Sequence, residues 1–109
     1  MVTYEDFLKL DIRVGRIIEV EDFPKAKKPA YKLKIDFGKL GVKTSSAQIT
    51  KLYKKEDLYN RLVVCVVNFP PKKIADFISE VLVLGVDDKE GNVVLLQPER
   101  EVKVGNKVY

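Results

Sequence analysis

The sequence contains no histidine and a single cysteine, Cys65. Without histidine the chain lacks the usual general base near neutral pH and the commonest metal ligand. One cysteine can neither close an internal disulfide nor build a metal site from paired thiolates. It sits in the apolar run Leu62-Val63-Val64-Cys65-Val66-Val67, where a thiol behaves as a small hydrophobe. Glycine is also sparse: its six residues, Gly15, Gly38, Gly41, Gly85, Gly91 and Gly105, occur singly, so neither a phosphate-cradling loop nor a dinucleotide fingerprint is present. No run approaches the ~18 apolar residues of a membrane helix, and the opening residues lack the basic and apolar stretches of a signal peptide. Together these absences predict a cytoplasmic binding protein with no catalytic activity, no cofactor, no metal and no membrane insertion.

What remains is an ordinary globular balance, 46% hydrophobic and 33% charged over 109 residues, enough for one domain spanning 1–109. The net charge of +4 conceals a segregation. Residues 1–22 hold three basic against six acidic side chains, a balance of −3; residues 23–73 hold thirteen against three, +10; residues 74–109 hold four against seven, −3. A field concentrated in this way attracts polyanions, each neutralised phosphate releasing counterions.

Hydrophobic periodicity predicts mostly strands. Thr3 and Asp6 read as the cap of a short helical turn through Phe7 and Leu8. From Ile12 the pattern becomes a long strand, with a bulge expected at Gly15. After a Pro- and Lys-rich loop over 23–29, Tyr31, Leu33, Ile35 and Phe37 alternate with Lys32, Lys34 and Asp36, a half-buried strand with one charged face. Val42 to Ile49 reads as a third strand, Lys51 to Asn60 as a short helix with Leu52, Tyr53 and Leu58 packing inward, and Leu62 to Asn68 as a strand central to the fold. Pro70 and Pro71 then force a rigid turn carrying Lys72 and Lys73. Ser79 to Val86 and Val93 to Leu96 are the remaining strands, with a terminal piece over 102–108. This order predicts an all-β oligonucleotide/oligosaccharide-binding fold (OB-fold), a five-stranded Greek-key barrel with short helices and terminal extensions at 1–10 and 102–109. A half-open sandwich is the alternative.

Four stretches, Asp11-Ile12-Arg13-Val14-Gly15, Ser45-Ser46-Ala47-Gln48-Ile49-Thr50, Asn68-Phe69-Pro70-Pro71-Lys72-Lys73-Ile74-Ala75 and Ser79-Glu80-Val81-Leu82-Val83-Leu84-Gly85, closely resemble the CsaA family, a free-standing branch of the tRNA-binding domain superfamily. The resemblance covers essentially the whole chain. It implies a homodimer, tRNA binding by relatives, and a chaperone role toward unfolded or presecretory polypeptides bound for export. In that family the terminal segments form the two-fold interface, which implies interface roles for Tyr4, Phe7 and Leu8. The chain departs from other tRNA-binding domains at Phe23-Pro24-Lys25-Ala26-Lys27-Lys28-Pro29 and at Ser79-Glu80-Val81-Leu82, in the manner of the CsaA branch.

The candidate binding residues divide by chemistry. Lys32, Lys34, Lys72 and Lys73 suit phosphate; Ser45, Ser46, Gln48, Asn68 and Ser79 suit phosphate, sugar or a peptide backbone; Glu80 suits a peptide or a base edge; Phe69 and Phe77 suit stacking or an apolar groove. Two functions remain open: an export chaperone, and a protein that binds tRNA or another structured RNA through a basic barrel face.

Overall fold

The computed structural model describes residues 1–109. A helical turn, α1 (Tyr4–Leu8), precedes strands β1 (Ile12–Asp22), β2 (Tyr31–Asp36) and β3 (Val42–Ala47), a second turn α2 (Lys55–Leu58), and strand β4 (Leu62–Val66). Five short strands follow: β5 (Lys72–Ile74), β6 (Phe77–Ser79), β7 (Leu82–Val83), β8 (Gly85–Asp87) and β9 (Val93–Leu95). The main sheet is antiparallel in the order β3-β2-β1-β4-β7 and curls into a nearly closed five-stranded barrel. Two hairpins, β5-β6 and β8-β9, are appended to it.

The long first strand makes the curl possible, because its two halves serve different partners. Residues Ile12 to Arg16 pair with β4, and Arg16 to Asp22 pair with β2. Between the halves Ile17 lies opposite Ile35 while Glu19 lies opposite Lys34, so Ile18 is the extra residue of a bulge. The bend therefore falls three residues beyond the expected Gly15. Gly15 instead permits a close approach, since a Cβ there would stand 2.5 Å from Ile35 Cγ2 and 2.6 Å from Phe37 Cε1. The strand must pass this close for the barrel interior to fill.

Ile17, Leu33, Ile35, Phe37, Val63 and Cys65 are fully buried and form the centre of the core, and Leu58 of α2 plugs into the same cluster. Burial pushes the Cys65 thiol up to about 12, as expected of an inert buried sulfur. The expected helix over 51–60 is limited to Lys55–Leu58, and Leu52 is exposed rather than packed. The expected strand over 79–86 is divided, because successive residues are claimed by different neighbours. Glu80 and Val81 donate to the Thr44 carbonyl, Leu82 and Val83 pair with β4, and Gly85 to Asp87 pair with β9.

Both terminal segments meet at the start of β1. Asn106 and Gly105 bond to Val14, Val108 N–H donates to the Ile12 carbonyl, and Lys107 lies opposite Arg13. The α1 turn closes with the expected capping box, Thr3 Oγ1 accepting from Asp6 N–H and the Asp6 carboxylate from Thr3 N–H, both at 3.1 Å.

Gly15→Ala should destabilise the chain by about 1–3 kcal/mol, since Ile35 and Phe37 are packed on all sides and cannot yield to a methyl group. Urea unfolding followed by tyrosine fluorescence checks this; an unchanged midpoint would place the strand crossing outside the rigid core.

Candidate functional site

The site begins at the seam where β3 meets the segment leaving β6. Thr44 N–H donates to Glu80 Oε1 at 3.1 Å, its hydroxyl lies 2.9 Å from the same oxygen and 2.8 Å from the Ile78 carbonyl, and its carbonyl accepts from Glu80 N–H at 2.8 Å. Ser45 is buried, its hydroxyl donating to the Val81 carbonyl at 2.9 Å. Ser46 N–H donates to Ser79 Oγ at 3.0 Å. Ser45, Ser79 and Glu80 thus direct their polar groups into the closure of the barrel, where a buried hydroxyl without a partner would be costly.

Beside the seam the barrel stays open as a groove of about 440 Å³. The turn Phe69-Pro70-Pro71 cannot continue β4, and the β5-β6 hairpin that follows it forms one wall of the groove. Of the residues expected at a site, Ser46, Gln48, Phe69, Lys72, Ser79 and Glu80 line it together. Much of its lining is apolar, including Ile74, Leu82, Val83 and Val93. Phe69 and Leu82 are about half exposed, at 44% and 48%. Sequence reasoning missed this apolar lining because its residues carry the same signal as a core strand; only the broken pairing after Ser79 turns them toward a cleft.

Lys32 and Lys34 stand elsewhere, on the outer face of β2. They lie directly across from Glu21 and Glu19 of β1 and form ion pairs at 3.8 and 3.4 Å. The Lys32 ammonium also sits 5.6 Å from the Phe23 ring and 5.9 Å from the Phe77 ring, which meet edge to face. Next to this cluster, Lys25 donates to Asp76 at 2.8 Å. That hydrogen bond raises the Lys25 ammonium above its ordinary value and lowers the Asp76 carboxyl below its own. Phe77 and Lys25 therefore tie the lysine-rich loop over 23–29 to the β5-β6 hairpin. The +10 of the middle segment is partly neutralised on β2, while Lys72 and Lys73 are exposed and form no ion pair.

Asn68 is used structurally. Its Oδ1 accepts from Asp11 N–H at 2.9 Å and its Nδ2 donates to the Lys9 carbonyl at 2.8 Å, pinning α1 against the end of β4. On α1, Tyr4 and Leu8 are exposed and Phe7 is half-buried, so an apolar surface stands outside the barrel. No group of side chains in the structure has the composition of a metal site.

The family model described as "Putative tRNA binding domain" matches residues 12–107. Among solved structures, the chaperone CsaA of Bacillus anthracis is 55% identical with a TM-score of 0.94, the match covering 100% of this chain and 99% of that one. The CsaA chaperone protein of Picrophilus torridus is 59% identical with a TM-score of 0.94, covering 100% of both. The methionine–tRNA ligase of Pyrococcus horikoshii is 50% identical over 107 residues, which are 98% of this chain. The chain spans only 14% of the length of that ligase.

If Glu80 closes the barrel, Glu80→Ala should cost about 1.5–3 kcal/mol, the range for a hydrogen bond to a charged group, whereas Glu80→Gln keeps an oxygen for Thr44 and should lose less. Equal unfolding midpoints for Ala and wild type would remove Glu80 from the seam.

Proposed function

The chain belongs to the tRNA-binding domain family, in its CsaA branch, and on that premise we propose that it is a dimeric chaperone holding extended, partly apolar segments of unfolded or presecretory polypeptides. The observation that carries this is the open groove, whose apolar lining and half-exposed Phe69 and Leu82 are rimmed by Ser46, Gln48 and Lys72. An apolar cleft with a few polar groups at its edge is what a polypeptide with mixed side chains requires. Binding structured RNA is the second function, supported by the tRNA-binding family match and by the exposed, unpaired Lys72 and Lys73 on the adjoining hairpin.

The dimer is supported by the convergence of the two terminal segments at the start of β1, where Tyr4 is 72% exposed beside Leu8. Two grooves on one rigid body would gain avidity for a long unfolded chain without any new contact.

Binding of an extended presequence peptide and of a folded tRNA across a salt series separates the two functions. Phe69→Ala should weaken the peptide severalfold and leave tRNA nearly unchanged. Lys72→Gln with Lys73→Gln should flatten the tRNA salt slope by up to ~2 units, each phosphate contact being worth ~0.7–0.9. Lys32→Gln with Lys34→Gln should flatten it less, because each already faces a carboxylate. Peptide affinity indifferent to Phe69 would refute the groove as the polypeptide site.

Removing residues 1–9 should convert a dimer to a monomer in sedimentation velocity, and Tyr4→Lys with Leu8→Lys should do the same without shortening the chain. A dimer that survives both changes would place the interface elsewhere.

A further inference from the structure

The groove contains backbone as well as side chains. Along an antiparallel strand, successive residues turn their N–H and C=O alternately toward the two neighbouring strands. On β3, Thr44 and Ser46 turn away from β2: both backbone groups of Thr44 bond to Glu80, and Ser46 N–H bonds to Ser79 Oγ. Gln48 lies just past the end of β3. It is exposed, it lines the groove, and neither its N–H nor its C=O has a partner in the protein. The Ser46 carbonyl, which by the same alternation also faces away from β2, lies 3.4 Å from the Ser45 hydroxyl, itself 2.9 Å from the Val81 carbonyl. The Ser46 carbonyl therefore faces away from β2, and the N–H and C=O of Gln48 are unpartnered beside the groove.

We propose that the groove receives its polypeptide by strand addition: an extended segment pairs its backbone with Ser46 and Gln48, and places every second side chain on the apolar wall around Phe69, Ile74 and Leu82. The proposal rests on the reading of the groove as a polypeptide site and adds the mode of binding and the chemistry of the segment. Main-chain pairing is independent of sequence, so the side-chain requirement reduces to apolar residues at positions i and i+2. Charge adds a further preference. Glu80 is bonded to Thr44, and Lys72 is the sole cation lining the groove and has no ion-pair partner, so the segment should carry a carboxylate near the β5 end. The same count disfavours nucleic acid in this groove, because one ammonium cannot neutralise a run of phosphates.

The test uses the full chain and a fluorescein-labelled octapeptide with Val or Leu at alternate positions and Asp at one end, followed by anisotropy. Two further peptides carry N-methyl groups, one on the odd amides and the other on the even. Methylation removes donors from one edge of the peptide only, so one set should bind tenfold or more weakly, equivalent to roughly two net hydrogen bonds, and the other like the parent. Lys72→Glu should weaken the Asp-terminated peptide and spare a version with Asn in its place. Equal losses for the two methylated sets, with Phe69→Ala still reducing affinity for the parent, would overturn strand addition and leave the groove reading standing. No effect of Phe69→Ala on the parent would overturn both. Displacement of the peptide by a single-stranded oligonucleotide, lost steeply with salt, would assign the groove to nucleic acid and overturn the proposal.

Discussion

Closure of the barrel depends on a few bonds between Thr44, Ser45 and Ser46 on one side and Ser79, Glu80 and Val81 on the other. A five-stranded sheet that curls on itself must bring its outer strands together, or leave rows of unpaired backbone groups. Here β3 and β7, the two outer strands, form no ladder with each other, and side-chain oxygens complete the seam instead. The Glu80 carboxylate stands in for a backbone carbonyl, accepting from Thr44 N–H where the next strand would otherwise do so. The closure stops at Ser46. Beyond it β3 ends at Ala47 and Gln48 has no backbone partner, and the groove is the part of the seam that no residue fills.

That construction explains why so many polar residues near the groove are unavailable to a ligand. Ser45, Ser79, Glu80 and Asn68 all have hydrogen-bond partners within the chain. What the groove offers is apolar surface, the unpartnered backbone of Gln48, and the ammonium of Lys72. Affinity for a polypeptide would then come from area and main-chain pairing, with charge setting a preference rather than the strength. Lys32 is held by Glu21 and by the rings of Phe23 and Phe77, and so contributes to the rigidity of the wall instead of to an open field.

Much of this was legible in the sequence. The alternation from Tyr31 to Phe37 defined β2 and its buried face, the apolar run around Cys65 defined β4, and Thr3 with Asp6 defined the cap of α1. Six residues expected at a site, Ser46, Gln48, Phe69, Lys72, Ser79 and Glu80, do come together around one groove. The bulge at Ile18 and the fragmentation of residues 79–87 were not legible, because each depends on which partner a residue meets, and a strand pattern records only which face is buried.

The sequence by itself determined the fold class, the order of the main strands, the inert buried thiol and the surplus of lysine in its middle third, since periodicity and composition are local quantities. Tertiary structure alone decided which of those lysines stay free and which polar side chains close the barrel. A lysine becomes available or neutralised according to the residue across from it on the next strand, and Glu19 and Glu21 stand eleven or more positions from Lys32 and Lys34 in the chain yet directly beside them in the sheet. The groove has the same origin: it is the gap left beside the seam where two distant strands come together without pairing, and no single segment contains it.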